Sequence, residues 1–340
     1  MSHLAGVELT FKDFETDQEV RWCPGCGDYA ILKAVQQALP QINKSKEDIV
    51  FISGIGCSSR FPYYVETYGF HSIHGRAPAI ASGVKLANPN LSVWQITGDG
   101  DALAIGGNHF IHALRRNIDI NILLFNNEIY GLTKGQFSPT SAQGLKTKSS
   151  PFGTVDRAFS PGKLALGAEA NFFARVIDID PKRMTDVLVQ AEQHKGSSLV
   201  EILQNCVIFN DKVFADVTAK EVKLDRQLWL EHGKPMIFGA EQNKGLILNG
   251  LKLEVVTIGE NGITEADILV HDAHGEDKTL HQMLIGMEAP EFPVAFGIIR
   301  QVEGPTFDDQ TWNQIEASKE KARVHSVDEL MNSGVTWEIE

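Results

Sequence analysis

The chain has few cysteines, no long apolar run and fewer basic than acidic residues. Only four cysteines occur among 340 residues, and disulfides are disfavoured in a cytosolic chain. No apolar run reaches membrane-spanning length, which argues against a transmembrane helix. The formal net charge of −13 argues against nucleic acid as a partner. Residues 1–20 are polar and lack a signal-peptide core, so we expect a cytoplasmic protein.

The composition is that of an ordinary globular protein. Apolar residues make up 43% and charged residues 22% of the chain, and the length allows about two domains. No repeats or low-complexity tracts occur. We expect an N-terminal arm over residues 1–20 and an α/β domain over residues 21–206. A C-terminal extension is expected over residues 207–340, where charged and aromatic residues scatter and Asn249-Gly250 marks a hairpin.

Two polar segments follow predicted strands directly. Gly98–Asp101 comes after a strand predicted at 91–97, and Asn126–Glu128 comes after a strand predicted at 118–125. A single helix is expected to connect them. Because open α/β sheets bind ligands at the carboxyl ends of parallel strands, we expect both segments at one edge of the sheet. Glycines after a third predicted strand, 49–53, place residues 54–60 at the same edge. Residues 61–70 are aromatic and loop-like.

The oxygen atoms of these segments suit magnesium holding a diphosphate. Asp99 offers a charged oxygen, Asn127 a neutral one and Ile129 a main-chain carbonyl. Magnesium prefers near-octahedral oxygen ligands at about 2.1 Å, so diphosphate oxygens and water would complete the shell. The glycines allow the backbone to approach a phosphate. His74 precedes a predicted helix, 79–86, which is a position suited to anions.

The four cysteines come from one loop and two strand ends. Cys23 and Cys26 flank Pro-Gly, Cys57 lies after the strand at 49–53, and Cys206 follows a strand predicted at 199–203. Alone, the Cys-x-x-Cys pair fits a redox dithiol, half a zinc site or half an iron–sulfur site. Structural zinc usually takes two such pairs, whereas this chain has one pair and two single cysteines.

Gly-Asp-Gly followed by Asn-Asn, continuing into Gly-Leu-Thr-Lys-Gly-Gln at 131–136, is the thiamine diphosphate signature. The sequence resembles the β subunit, the thiamine-binding one, of the 2-oxoacid:ferredoxin oxidoreductases, closely over about residues 20–210. The resemblance implies the thiamine diphosphate-binding fold, an α/β structure with a mostly parallel sheet, helices on both faces and a C-terminal extension. It also implies three cofactors: thiamine diphosphate, Mg²⁺ and one 4Fe-4S cluster.

The resemblance assigns roles to individual residues. Zinc or unliganded thiols are the alternatives to an iron–sulfur cluster at the four cysteines. The expected cluster ligands are Cys23, Cys26, Cys57 and Cys206, and the expected magnesium ligands are Asp99, Asn127 and Ile129. The expected cofactor contacts are Ile55, Gly56, Cys57, Ser58, His74, Gly100, Asp101, Gly131 and Leu132.

The implied reaction is the reversible, coenzyme A-dependent oxidative decarboxylation of a 2-oxoacid, with electrons leaving singly to ferredoxin. An α subunit, in an α2β2 assembly, would supply the activating glutamate, so the chain alone should be inactive. Residues 133–161 lack periodicity and predict a flap over the site that also contacts a partner subunit.

Two cations on the site loops bear on the substrate. Arg60 and Lys134 could hold the distal carboxylate of a dicarboxylic substrate, with Leu132 packing on the substrate chain. These loops resemble the 2-oxoglutarate branch, whose products are succinyl-CoA and CO2. The alternatives are pyruvate or another 2-oxoacid, a non-redox thiamine decarboxylase or synthase, and a non-catalytic zinc-stabilised binding subunit.

Overall fold

The computed structural model describes residues 9–339, so the first eight residues of the expected N-terminal arm lie outside the described part. The described strands are β1 Ile49–Ser53, β2 Tyr68–His71, β3 Ser92–Gly98, β4 Asn121–Asn126, β5 Phe172–Ile177, β6 Ser198–Leu203, β7 Gln227–Leu230, β8 Ile237–Phe238, β9 Lys244–Asn249, β10 Lys252–Thr257 and β11 Val294–Gln301. The described helices are α1 Asp28–Ala38, α2 Ala77–Ala87, α3 Asp99–Leu103, α4 Gly107–Arg115, α5 Pro161–Gly167, α6 Pro181–Gln193, α7 Ala215–Thr218, α8 Lys223–Arg226, α9 Thr279–Ile285, α10 Phe307–Lys321 and α11 Val327–Met331.

The main sheet has the strand order β2-β1-β3-β4-β6-β5-β11-β7. The six strands from β2 to β5 are parallel, whereas β11 runs antiparallel to β5 and parallel to β7. The carboxyl ends of the parallel strands therefore meet at one edge. β3 and β4 are neighbours, with Gly98 opposite Phe125, as predicted. The mostly parallel α/β fold is confirmed.

Helices cover both faces of the sheet. Alternate residues of a strand point to opposite faces, and in β1 Ile52 belongs to one hydrophobic cluster while Phe51 belongs to the other. Helices α1 and α6 pack with the Phe51 cluster, and α2, α4 and α5 pack with the Ile52 cluster. β1, β4, β5 and β6 are buried along their whole length, which is typical of a parallel sheet covered on both sides.

Two local predictions were wrong. The helix expected after Gly100 is interrupted, giving α3 and α4. The chain passes so close to itself at Gly106 that a Cβ there would lie 2.3 Å from the Asp101 carbonyl oxygen. The loop-like segment 61–70 contains β2, the edge strand of the sheet. Its side chains are exposed, so the apolar core pattern that identified the other strands is missing there.

Residues after 206 complete the main sheet and add a smaller one. β7 and β11 belong to the large sheet, while β8, β9 and β10 form a three-stranded sheet. The predicted hairpin is confirmed, since β9 and β10 pair antiparallel across Gly250, which has a φ of 62°. The boundary between the domain and its extension remains a prediction. Among the described residues, no helix is both long and apolar enough to cross a membrane.

Candidate functional site

A cavity of about 450 Å³ opens at the carboxyl ends of β1, β3 and β4. This volume lies within the range of about 300–1,000 Å³ that is common for cofactor sites. All the residues expected to contact the cofactor line it, together with the three expected magnesium ligands. Six residues to which the sequence reasoning assigned no cofactor, metal or substrate contact also line the cavity, namely Asp28, Gly98, Phe125, Tyr130, Thr133 and Gln136.

Asp99 is the buried acid at the end of β3. Its Oδ2 accepts hydrogen bonds from Ser138 Oγ and Thr140 Oγ1, each at 2.5 Å. Burial raises the pKa of Asp99 to about 6, although the two hydroxyl hydrogen bonds act in the opposite direction. Across the cavity, Asn127 Oδ1 accepts a hydrogen bond from the Ile129 amide at 3.2 Å. A carboxylate, an amide oxygen and a main-chain carbonyl are oxygen ligands that suit Mg²⁺.

The protein supplies only part of a coordination shell for a cation at Asp99. Between residues 9 and 339, no three His, Cys, Asp or Glu side chains are placed to hold one metal ion. Asp99 therefore has too few such side chains near it to complete the coordination of a metal ion. This fits a cation that takes its remaining oxygen ligands from a diphosphate and water, as Mg²⁺ commonly does with phosphate substrates.

Asp101 ties together the loops that form the cavity. Its Oδ1 accepts hydrogen bonds from the Ile55 and Gly75 amides at 3.1 and 2.7 Å and lies 2.5 Å from His74 Nδ1. Its Oδ2 accepts a hydrogen bond from Thr97 Oγ1 at 2.8 Å. The carboxylate thus already has four protein partners. Asp101 lines the cavity as expected, but its geometry is that of a group that fixes the loops.

The close approach at Gly100 requires a glycine. A Cβ at this position would lie 2.3 Å from Cε1 of Tyr130, and the Tyr130 hydroxyl donates to the Gly100 carbonyl at 2.9 Å. Burial raises the pKa of Tyr130 to about 12, with further contributions from Asp99 and Asp101. The phenol therefore stays neutral and holds the Gly100 backbone in place at the cavity wall.

The four cysteines lie in one neighbourhood beside the cavity. A Cβ on Gly131 would lie 3.5 Å from Cys206 Sγ and 3.6 Å from Cys57 Sγ. Burial raises the pKa of Cys57 to about 12, and the charges of Asp28, Cys206 and Cys23 add to the shift. Burial and Asp28 also raise the pKa of Cys26, with Cys206 and Cys57 contributing. All four cysteines are free thiols.

Asp28 is a functional-site residue that sequence reasoning missed. It is 2% exposed, lines the cavity and starts α1 two residues after Cys26. Burial raises the pKa of Asp28 to about 7, and the nearby Asp178 adds to this shift. The available signal was an acid directly after the Cys-x-x-Cys loop. Ser138 and Thr140 were also missed, because they lie in a segment that was interpreted only as a flap.

The two cations expected to contact substrate do not line the cavity. Arg60 Nε donates to the Tyr64 hydroxyl at 2.9 Å, and its guanidinium lies 5.6 Å from the centre of the Tyr63 ring. Lys134 is exposed, with a φ of 77°. Leu132, the third expected substrate contact, does line the cavity and is 51% exposed. The roles of Arg60 and Lys134 therefore stay predictions.

Comparison with known proteins identifies the family. Residues 54–202 match the family described as "Thiamine pyrophosphate enzyme, C-terminal TPP binding domain". The chain is similar to the 2-oxoglutarate oxidoreductase subunit KorB of Mycobacterium tuberculosis, with 52% identity over 332 residues that cover 97% of this chain and 88% of the relative. The chain belongs to the β subunits of the 2-oxoacid:ferredoxin oxidoreductases.

Other members of this family show the same likeness. The subunit beta of 2-oxoacid:ferredoxin oxidoreductase 1 from Aeropyrum pernix is 45% identical over 198 residues, which cover 58% of this chain and 62% of the relative. A solved structure, "2-oxoglutarate:ferredoxin oxidoreductase from Magnetococcus marinus with 2-oxoglutarate, coenzyme A and succinyl-CoA bound", has 28% sequence identity and a TM-score of 0.77, covering 97% of both chains. The family and fold predictions are confirmed, and the chain is one subunit of an oxidoreductase.

Proposed function

We propose that the chain is the thiamine diphosphate-binding subunit of a 2-oxoglutarate:ferredoxin oxidoreductase. With its α subunit, it would catalyse the reversible, coenzyme A-dependent oxidation of 2-oxoglutarate to succinyl-CoA and CO2, passing electrons to ferredoxin. One observation carries the proposal: a single cavity is lined both by Asp99 and Asn127 and by Cys57, one of the four neighbouring cysteines. This adjacency would bring the proposed diphosphate site next to the proposed redox site.

The residues of the cavity would share the work of binding. Asp99, Asn127 and the Ile129 carbonyl would hold Mg²⁺ and, through it, the diphosphate. Gly56 leaves the backbone uncovered at the cavity wall, since a Cβ there would have no neighbour within 4 Å, which allows close approach of a phosphate. When bound, thiamine diphosphate supplies the carbon chemistry and the 4Fe-4S cluster accepts electrons one at a time.

The arrangement of the four cysteines supports an iron–sulfur cluster better than zinc. Structural zinc takes four ligands, mostly Cys or His, around one ion, and no three His, Cys, Asp or Glu side chains of residues 9–339 are placed to hold one ion. In a 4Fe-4S cluster each cysteine binds a different iron atom, so the four sulfurs do not have to meet at one ion. Cys23, Cys26, Cys57 and Cys206 would be its ligands. Burial raises the pKa of Cys26 and Cys57, so these two thiols are protonated until iron displaces the protons.

The substrate assignment is supported by the named relatives and by the chemistry of the loops. The relative from M. tuberculosis is named for 2-oxoglutarate, and the structure from M. marinus contains it. Arg60 and Lys134 remain the candidate partners of the distal carboxylate, and Leu132 would pack on the substrate chain. The proposal includes an α2β2 assembly and a cytoplasmic location.

The cofactor assignment is tested on the chain coexpressed with its α subunit and purified without oxygen. Asp99→Ala should lose bound thiamine diphosphate, measured after acid extraction, while keeping the iron content and brown colour. Asp156→Ala, an exposed acid of the 133–161 loop, is the matched control and should retain both. Retention of the cofactor by Asp99→Ala would remove the magnesium assignment, and colourless zinc-containing protein would remove the cluster.

The substrate assignment needs a separate assay. A viologen dye should be reduced fastest with 2-oxoglutarate in a panel of 2-oxoacids. Arg60→Ala and Lys134→Ala should reduce the rate with 2-oxoglutarate far more than the rate with pyruvate, because only the former has a distal carboxylate to pair. Lys146→Ala, an exposed lysine of the same loop region, should change neither rate. Equal losses on both substrates would exclude these cations from substrate recognition.

A further inference from the structure

Three hydroxyl residues of the predicted flap are buried against the site. Ser138, Thr140 and Ser141 are 2%, 4% and 3% exposed, although connecting segments usually run over the surface. We call Ser138–Ser141 the hydroxyl latch. Its burial is notable because no helix or strand lies between residues 127 and 160, all of which the structure describes.

The latch bonds to both strand ends that carry the proposed magnesium ligands. At the end of β3, Ser138 Oγ and Thr140 Oγ1 each donate to Asp99 Oδ2 at 2.5 Å. After the end of β4, Ser141 Oγ donates to the Glu128 carbonyl at 2.5 Å and accepts from the Ser138 amide at 2.8 Å. The latch therefore spans the two elements that would share one metal ion.

A buried ion pair holds Asn126, which in turn contacts Thr140 of the latch. Arg175 Nε donates to Glu201 Oε2 at 2.8 Å, and Asn126 Nδ2 donates to Glu201 Oε1 at 2.9 Å. This fixes the Asn126 amide, so that its Oδ1 faces Thr140 Oγ1 at 3.0 Å. The Thr140 hydroxyl has one proton and two acceptors, Asp99 and Asn126. A cation that takes over the Asp99 charge would leave Asn126 as the better acceptor.

The latch also fixes part of the cavity wall. The Tyr130 amide donates to the Gln136 carbonyl at 2.9 Å, and the Gly135 amide donates to the Tyr130 carbonyl at 2.8 Å. These bonds close a tight loop that ends two residues before Ser138. Leu132, Thr133 and Gln136 of this loop line the cavity. Anchoring Ser138 therefore restrains the part of the wall that these three residues form.

We propose that Ser138 and Thr140 are positioning residues for Asp99, and that the latch couples magnesium binding to placement of the 132–136 loop. The inference rests on the proposed function, since it needs Asp99 to be a magnesium ligand. The physical reason is orientation: groups that hydrogen-bond to a metal ligand typically change metal affinity by about 10–100-fold when removed.

The test measures magnesium affinity and uses the complex with the α subunit. Thr140→Val and Ser138→Ala should each raise the Mg²⁺ concentration that gives half-maximal thiamine diphosphate binding by about 10–100-fold. Thr140→Ser restores the hydroxyl and should stay within about threefold of the unmodified protein. Thr147→Val, whose hydroxyl contacts only neighbouring loop residues, is the matched control. The iron content should be unchanged in all four variants, which also shows that they fold.

A second readout addresses the coupling. Adding Mg²⁺ and thiamine diphosphate should slow proteolytic cleavage within residues 132–160 of the unmodified complex, and Thr140→Val should lose most of this protection at the same cofactor concentration. Equal Mg²⁺ dependence of Thr140→Val, Ser138→Ala and the unmodified protein would overturn the inference, while loss of binding in Asp99→Ala would leave the proposed function standing. Unchanged binding in Asp99→Ala would instead refute the proposed function.

Discussion

Removing the Asp101 carboxylate should loosen two cavity loops and the end of β3 at once. In Asp101→Ala the Ile55 and Gly75 amides, the His74 ring and the Thr97 hydroxyl lose their acceptor. A buried donor left unpaired costs about 1–3 kcal/mol. Counting only the two amides, because the side chains can reorient, gives a loss of about 2–6 kcal/mol. This is a large fraction of the roughly 5–15 kcal/mol by which domains are stable.

Asp101→Asn separates the charge from the shape. Its amide oxygen can still accept from the Ile55 and Gly75 amides, while its NH2 group can donate to Thr97 after the hydroxyl rotates. Hydrogen bonds to a neutral acceptor are roughly half as strong as those to a carboxylate. We therefore expect a loss of about 1–3 kcal/mol for Asp101→Asn, clearly smaller than that of Asp101→Ala.

The assay is urea denaturation of the full chain, monitored by tryptophan fluorescence. Thiamine diphosphate binding by the complex is measured in parallel. Asp156→Asn is a matched change at an exposed acid and should shift neither. The order of stability should be the unmodified chain, then Asp101→Asn, then Asp101→Ala, with cofactor binding weakened in the same order. An Asp101→Ala chain as stable as Asp101→Asn would refute the reasoning, because the amides would then have no need of this acceptor.

Three further predictions concern other parts of the molecule. Gly131→Val should lower the iron content of the purified protein because its branches would meet the sulfurs of Cys57 and Cys206, whereas Gly131→Ala, whose Cβ lies at ordinary contact distance from both, should retain iron. Arg175→Met leaves the buried Glu201 carboxylate without a counter-ion and should cost about 3–5 kcal/mol in urea denaturation; a loss under 1 kcal/mol would contradict this. Burial lowers the pKa of His271 to about 4, so the unfolded chain binds the extra proton first and stability should fall as pH drops from about 6.5 to about 4. The acid sensitivity should be smaller in His271→Asn, and an identical pH profile would exclude His271 as its source.

Much of the site's position could be predicted from strand ends alone. Gly98–Asp101 and Asn126–Glu128 each follow an apolar strand directly, and the parallel β3–β4 pairing brings them to one edge. Glycines in Gly98–Asp101 and in residues 54–60 indicated a phosphate site without any tertiary information. This worked because strand direction and the spacing of polar residues are local properties, and the sheet then needs only its usual parallel arrangement to assemble the cavity.

The rest of the site depends on contacts between distant residues, which carry no local signal. Ser138 and Thr140 look like turn residues around Pro139, and their burial on Asp99 follows from the path of the whole loop. Asp28 starts an ordinary amphipathic helix, and its place at the cavity comes from the turn at Cys26. β2 was missed because an exposed edge strand lacks the apolar core pattern that identifies buried strands.

Exposed apolar side chains near the cavity predict how the cofactor affinity depends on the partner. Ile73 and Ile105, beside the His74 loop, are 69% and 59% exposed, and Leu132, which lines the cavity, is 51% exposed. Large patches of exposed apolar surface usually mark an interaction site. We therefore expect the isolated chain to bind thiamine diphosphate much more weakly than the complex with its α subunit, as measured by equilibrium dialysis at one Mg²⁺ concentration. Ile105→Ser should weaken binding in the complex while leaving the isolated chain unaffected, since its side chain would act through the partner; an equal loss in both would place its effect within this chain.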